Sequence, residues 1–161
     1  MRVLVECDAD EAVLRALGVT KKQLLHFGGK GNVINRLKKL PGTTGIVDED
    51  PASAQPRDLN NYQEEVQTTE GLRLLTRQGK GGQRLILVCP KLEDWLIHRA
   101  KSMGVEPENY GLPADPNRLH SIPRYELKDG FRRFLAELID RDKGMHLLRR
   151  WIFEADSRHS P

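Results

Sequence analysis

Several function classes are closed off by what this chain lacks. It has two cysteines in 161 residues, Cys7 and Cys89, and neither sits in a Cys-x-x-Cys or similar metal-ligand spacing, so a disulfide framework and a zinc cluster are both excluded. Each follows an apolar run and reads as a buried or half-buried free thiol. No apolar run approaches the roughly 18 residues of a membrane span. The start, Met1-Arg2-Val3, passes straight into an apolar run without a leader pattern, and the expectation is a cytoplasmic protein with no membrane partner. The five histidines show no spacing that a metal site or a catalytic triad requires. No serine or cysteine nucleophile motif is present, and the glycine-rich segment 79–82 lacks the Lys-Ser/Thr ending of a P-loop. No internal repeat is evident. A net charge of +3 is too small to argue nucleic-acid binding by itself.

The chain does have apolar runs in alternation with helical patterns. Val3-Leu4-Val5, Leu24-Leu25-His26-Phe27 and Gly45-Ile46-Val47 read as short strands, with helical periodicity over Asp8 to Leu17 and over Val33 to Leu40 between them. That order, β-α-β-α-β, specifies a doubly wound, mainly parallel α/β sheet flanked by helices. Residues 49–70 lose all pattern and read as a long loop or partly helical insertion, and 71–77 and 83–89 read as two strands joined by a mobile glycine-rich turn. A helix over 92–101 follows, then a loop-rich stretch over 104–127 and helix from Phe131 to Phe153, with Trp95 and Trp151 on apolar faces and a frayed end at Arg158–Pro161. The expected organisation is a core over 1–103 and a helical C-terminal extension over 104–161 packed on it.

The acidic residues fall in informative places. Glu6 follows the first run, and Asp48 and Asp50 follow the third. If both runs are parallel strands, these carboxylates meet at the carboxyl edge, where open α/β sheets put their chemistry. Carboxylates gathered there repel one another unless a cation neutralises them, and hard oxygen donors select magnesium or manganese. The competing reading of Asp48-Glu49-Asp50-Pro51 is a solvated turn. Lys30 lies in Gly28-Gly29-Lys30-Gly31-Asn32 at a helix start, where it suits a phosphate oxygen and equally suits an exposed turn. Basic clusters at 21–22, 36–39, 73–84, 132–133 and 149–150 fit a polyanionic partner, and fit ordinary solvated helix faces as well.

Taken together these residues resemble the Toprim domain, the catalytic fold of topoisomerases, bacterial primases and the overcoming-lysogenization-defect nucleases of phage defence. Val5-Glu6-Cys7-Asp8-Ala9-Asp10 is similar to the opening of that last group, with Cys7 where the opening carries glycine. Cys89-Pro90-Lys91-Leu92-Glu93-Asp94-Trp95-Leu96 looks like an element of stand-alone Toprim proteins, and the likeness covers about the first 100 residues. The resemblance implies a nuclease that hydrolyses DNA or RNA through bound Mg2+ or Mn2+. It implies Glu6, Asp48 and Asp50 as core metal ligands, with Asp10 and Glu93 serving a second ion. Lys30 would act beside them as a catalytic residue, with Gly29, Lys30 and Gly31 as the phosphate cradle. Two competitors remain open: a non-catalytic metal-binding module that partners another protein such as an ATPase, and a receiver-like or nucleotide-binding domain.

Overall fold

The computed structural model describes residues 1–79 and 81–157, with the side chains of 155–157 left aside. The expected frayed end at Arg158–Pro161, and Lys80 in the expected mobile turn, lie outside the described residues. The fold is α/β. Strands β1 (Val3–Val5), β2 (Leu24–His26), β3 (Thr44–Asp48), β4 (Tyr62–Gln67), β5 (Leu72–Arg77) and β6 (Arg84–Val88) form one sheet in the order β2-β1-β3-β6-β5-β4. Pairing is parallel from β2 through β6 and antiparallel for β5 and β4. Helices α1 (Asp8–Ala16) and α2 (Lys30–Leu37) are the crossovers of the parallel half, and α3 (Leu92–Ser102) leaves β6. Short α4 (Pro116–Ser121) interrupts the loop-rich stretch, and α5 (Asp129–Arg141) and α6 (Lys143–Ser157) close the chain. Among the described residues no helix is long and apolar enough to cross a membrane.

Alternate strand residues serve two cores, as the period of a strand requires. Val3, Val5, Ile46, Ile86 and Val88 pack with α1, α3, α5 and α6. Leu4, Val47, Leu85 and Leu87 pack with Val33, Ile34 and Leu37 of α2 on the opposite face. Gly45 is what lets α2 sit close: a Cβ there would lie 3.1 Å from Leu37 and 3.2 Å from Val33 and Leu85. Trp95 and Trp151 are buried, as expected from their apolar faces.

The unpatterned stretch before Glu70 contains a strand. β4 pairs antiparallel with β5 at the sheet edge, and only Tyr62 of it is buried. An edge strand exposed on both faces has no apolar alternation to read. Polar cross-strand contacts hold it instead, Arg73 to Glu64 and the Thr76 hydroxyl to Glu65 Oε1 at 2.6 Å.

The helix expected over 131–153 breaks at Asp142, whose backbone is extended (φ −86°, ψ 128°). Its carboxylate accepts from the Met145 backbone N–H at 2.8 Å, capping α6. The same carboxylate pairs with Arg99 of α3, Nε to Oδ1 at 2.9 Å and Nη2 to Oδ1 at 2.7 Å. Asp142 is fully buried and Arg99 nearly so. Gly144 makes room for the pair, since a Cβ there would lie 2.9 Å from both Arg99 Nε and Asp142 Oδ2.

Candidate functional site

Parallel register brings the carboxyl ends of β1 and β3 side by side, Val5 against Ile46. Glu6 leaves β1 half-buried, and its Oε2 accepts from the Asp48 backbone N–H at 3.0 Å. Asp48 ends β3, and its Oδ1 accepts from the Leu92 N–H at 2.9 Å, the first residue of α3. Asp50 has a left-handed backbone (φ 39°), fixed by its N–H donating to the Pro90 carbonyl at 2.8 Å. Lys91 approaches its Oδ1 at 3.5 Å. Gly29 caps α2 with φ 111°, a conformation that glycine adopts without penalty, and its N–H donates to the Glu6 carbonyl at 3.3 Å. Lys30 opens α2, and its ammonium donates to the Glu49 carbonyl and, at 2.6 Å, to Gln55 Oε1.

Two clefts meet at this edge. Glu6, Lys30, Gly31, Asp48, Asp50 and Gln55 are among the residues lining the first, a volume of about 780 Å³. Glu6, Asp10, Gly29, Asp48, Glu93 and His120 are among those lining the second, about 460 Å³. Glu6 and Asp48 thus form the shared wall, and every residue expected at the site borders one cleft or the other.

The acids differ in how they are held. Asp10 is buried and turns back to the start of its own helix, Oδ2 accepting from the N–H groups of Glu6 at 3.2 Å and Cys7 at 3.1 Å. Glu93 is buried and accepts from the Tyr125 hydroxyl at 2.8 Å, with His120 Nδ1 at 2.9 Å. Both partners come from the chain that follows α3. Glu49, between the two aspartates, turns away to Arg73 at 2.7 Å.

Burial first, then the negative charges of Asp10, Glu6 and Glu93, push the Asp48 carboxyl up to about 8. Burial likewise lifts Asp10 to about 7, with Glu6 adding to the rise against the hydrogen bonds from Cys7. Burial also lowers the Lys30 ammonium in spite of the surrounding carboxylates. The Cys7 thiol is pushed up by burial and by Asp10. Cys7 is nonetheless exposed at the surface and Cys89 half-buried, so only Cys89 fits the sequence expectation for the thiols.

The donor set suits a hard divalent cation. Glu6, Asp10, Asp48, Asp50 and Glu93 offer oxygen alone, and the crowding that raises Asp48 is what a cation offsets. These acids are not drawn together as a trio, however. The group of three whose ligand atoms all lie within 4.8 Å of one another, among the described residues, is Asp8, Glu11 and His26. That group is on the rim, with His26 Nδ1 3.2 Å from Asp8 Oδ1. Its only sequence signal was the three-residue spacing of Asp8 and Glu11 on one helix face. Gln55, His120 and Tyr125 left no such signal, because each reaches the site through tertiary packing.

Raised carboxylates make a pH prediction with a definite sign. Between the ordinary carboxyl value of 3.8 and the folded values of about 7 and 8, the folded protein keeps protons that the unfolded chain has lost, so stability falls as pH rises across that window. In chelator, the midpoint of thermal unfolding is expected to drop between about pH 5 and about pH 8, by about 2–4 °C per kcal/mol removed. Asp48→Asn should flatten part of that slope, and added Mg2+ should restore stability at the alkaline end. Equal slopes in wild type and variant, by calorimetry, would contradict the assignment.

Compared with known proteins, the chain matches no family model, no curated protein and no solved structure.

Proposed function

We propose that this chain is a Toprim-like, Mg2+- or Mn2+-dependent phosphodiesterase that cleaves DNA or RNA, of the kind used in phage defence. One observation carries the reading: Glu6, Asp48, Asp50 and Lys30 line a single cleft at the carboxyl ends of parallel strands. Their order along the chain is the one the Toprim resemblance rests on. Glu6, Asp48 and Asp50 would hold the metal, with Asp10 and Glu93 bordering it on the side of the second cleft. Such an ion, when bound, activates water and offsets charge developing at phosphorus.

The chain's own groups do the rest. The Lys30 ammonium sits at the N-terminal end of α2, where it and the backbone around Gly29 and Gly31 receive a non-bridging phosphate oxygen. Lys38 and Arg57 on the same cleft draw in the flanking phosphates. The fixed hydrogen bonds from Asp48 N–H to Glu6 and from Leu92 N–H to Asp48 keep the two central carboxylates oriented before substrate arrives.

A second reading, a non-catalytic metal-binding module that docks on a protein such as an ATPase, is favoured by one feature: the acids of the cleft do not form a trio at ligating distance. One assay separates the two. Plasmid, linear and single-stranded DNA and structured RNA are incubated with the protein in magnesium, manganese or chelator, alongside Glu6→Gln. The expected result is metal-dependent cutting by the wild type and none by the variant. A folded wild type that binds Mn2+ and cuts nothing decides for the docking module.

A further inference from the structure

We propose that Gln55 is a positioning residue, which holds the Lys30 ammonium on neutral oxygens and so keeps that cation from closing onto the carboxylates of the site. This rests on the metal-site reading above and concerns a residue that the reading does not use.

Lys30 has Glu6, Asp48, Glu49 and Asp50 as its electrostatic neighbours. An ammonium on a flexible four-carbon stem, placed among carboxylates, closes onto one of them unless something restrains it. Lys30 does not. Its hydrogen bonds go to two uncharged acceptors, the Glu49 carbonyl and Gln55 Oε1. Asp50 takes its ion pair from Lys91 instead.

Gln55 is fixed for this task although it is exposed. Its Nε2 donates to the Asp50 carbonyl at 3.0 Å and to the Ser53 carbonyl at 2.9 Å. With the amide nitrogen committed to the loop, the amide oxygen is the atom left for Lys30, which removes the ambiguity of amide orientation. The loop is itself pinned, since the Ser53 N–H and hydroxyl both donate to the Asp50 carbonyl, at 3.1 Å and 2.9 Å. Gln55 therefore ties the turn that carries Asp50 to the helix start that carries Lys30. It leaves the acids for the metal and the ammonium for phosphate.

The test measures Mn2+ affinity by titration calorimetry without nucleic acid, so no activity enters the readout. Gln55→Ala frees Lys30 to pair with the acids and compete with the ion. Its dissociation constant for Mn2+ is expected to rise about two- to fivefold, the size of a part-exposed ion pair. In a Lys30→Met background the same Gln55→Ala change should have no effect, because the competing cation is gone. Equal weakening in both backgrounds, or none in either, overturns the role given to Gln55. Wild-type protein that shows no Mn2+ binding sensitive to Asp48→Asn overturns the metal-site reading itself, whatever Gln55 does.

Discussion

Asp48→Asn is expected to fold, to gain stability above about pH 7, and to lose metal-dependent cleavage by about 10³-fold or more, on the order of 4 kcal/mol at the transition state. The two effects have one cause. Asp48 stands between the clefts, on the wall it shares with Glu6. It is held up to about 8 by burial and by Asp10, Glu6 and Glu93. Ionising it beside those groups destabilises the protein unless a cation compensates. The asparagine keeps an oxygen for the Leu92 N–H, so α3 stays capped. What it removes is the charge that a divalent ion needs. Urea titration at about pH 8 in chelator, beside initial rates in Mn2+, reads both consequences on the same preparations. An asparagine variant with wild-type rates removes Asp48 from the chemistry. One that is inactive and also less stable shows that its structural part was misjudged.

Asp142→Ala should be the most damaging single change to stability, about 3–5 kcal/mol, because it strands the buried guanidinium of Arg99 without a partner. Four contacts go at once: Arg99 Nε to both carboxylate oxygens, Arg99 Nη2 to Oδ1, and the cap on Met145 N–H. The midpoint of thermal unfolding should fall by roughly 10 °C. The double change Arg99→Met with Asp142→Leu should lose far less, since it removes both charges and refills the volume. Denaturant titration of the three proteins checks this. A loss below about 1 kcal/mol for Asp142→Ala would mean that water reaches Arg99 readily.

The parallel half of the sheet was legible in the sequence because each piece carried its own signal: short aliphatic runs, 3.6-residue periodicity between them, and acids at the strand ends. The placing of Glu6, Asp48 and Lys30 around one cleft follows from that topology alone. β4 was not legible, since Gln63, Glu64 and Glu65 give a strand exposed on both faces the composition of a loop. The break at Asp142 was hidden because apolar residues continue in helical spacing on either side of it. The roles of Gln55, His120 and Tyr125 depend on loops folding back across 25, 27 and 32 positions, and no local pattern encodes such contacts.

The last helix also sets a timetable for the chain as it is made. Arg149 Nε donates to the Leu17 carbonyl at 3.1 Å across 132 positions, and Arg84 Nη1 on β6 donates to the Trp151 carbonyl at 2.8 Å. Both join early or central elements to residues translated well after them. The acids of β1 and β3 are therefore translated long before the apolar face beneath them is covered. Contacts of such sequence separation are closed late and slowly, so the nascent chain carries an open sheet face until α6 has emerged, the condition under which association with other chains competes with folding.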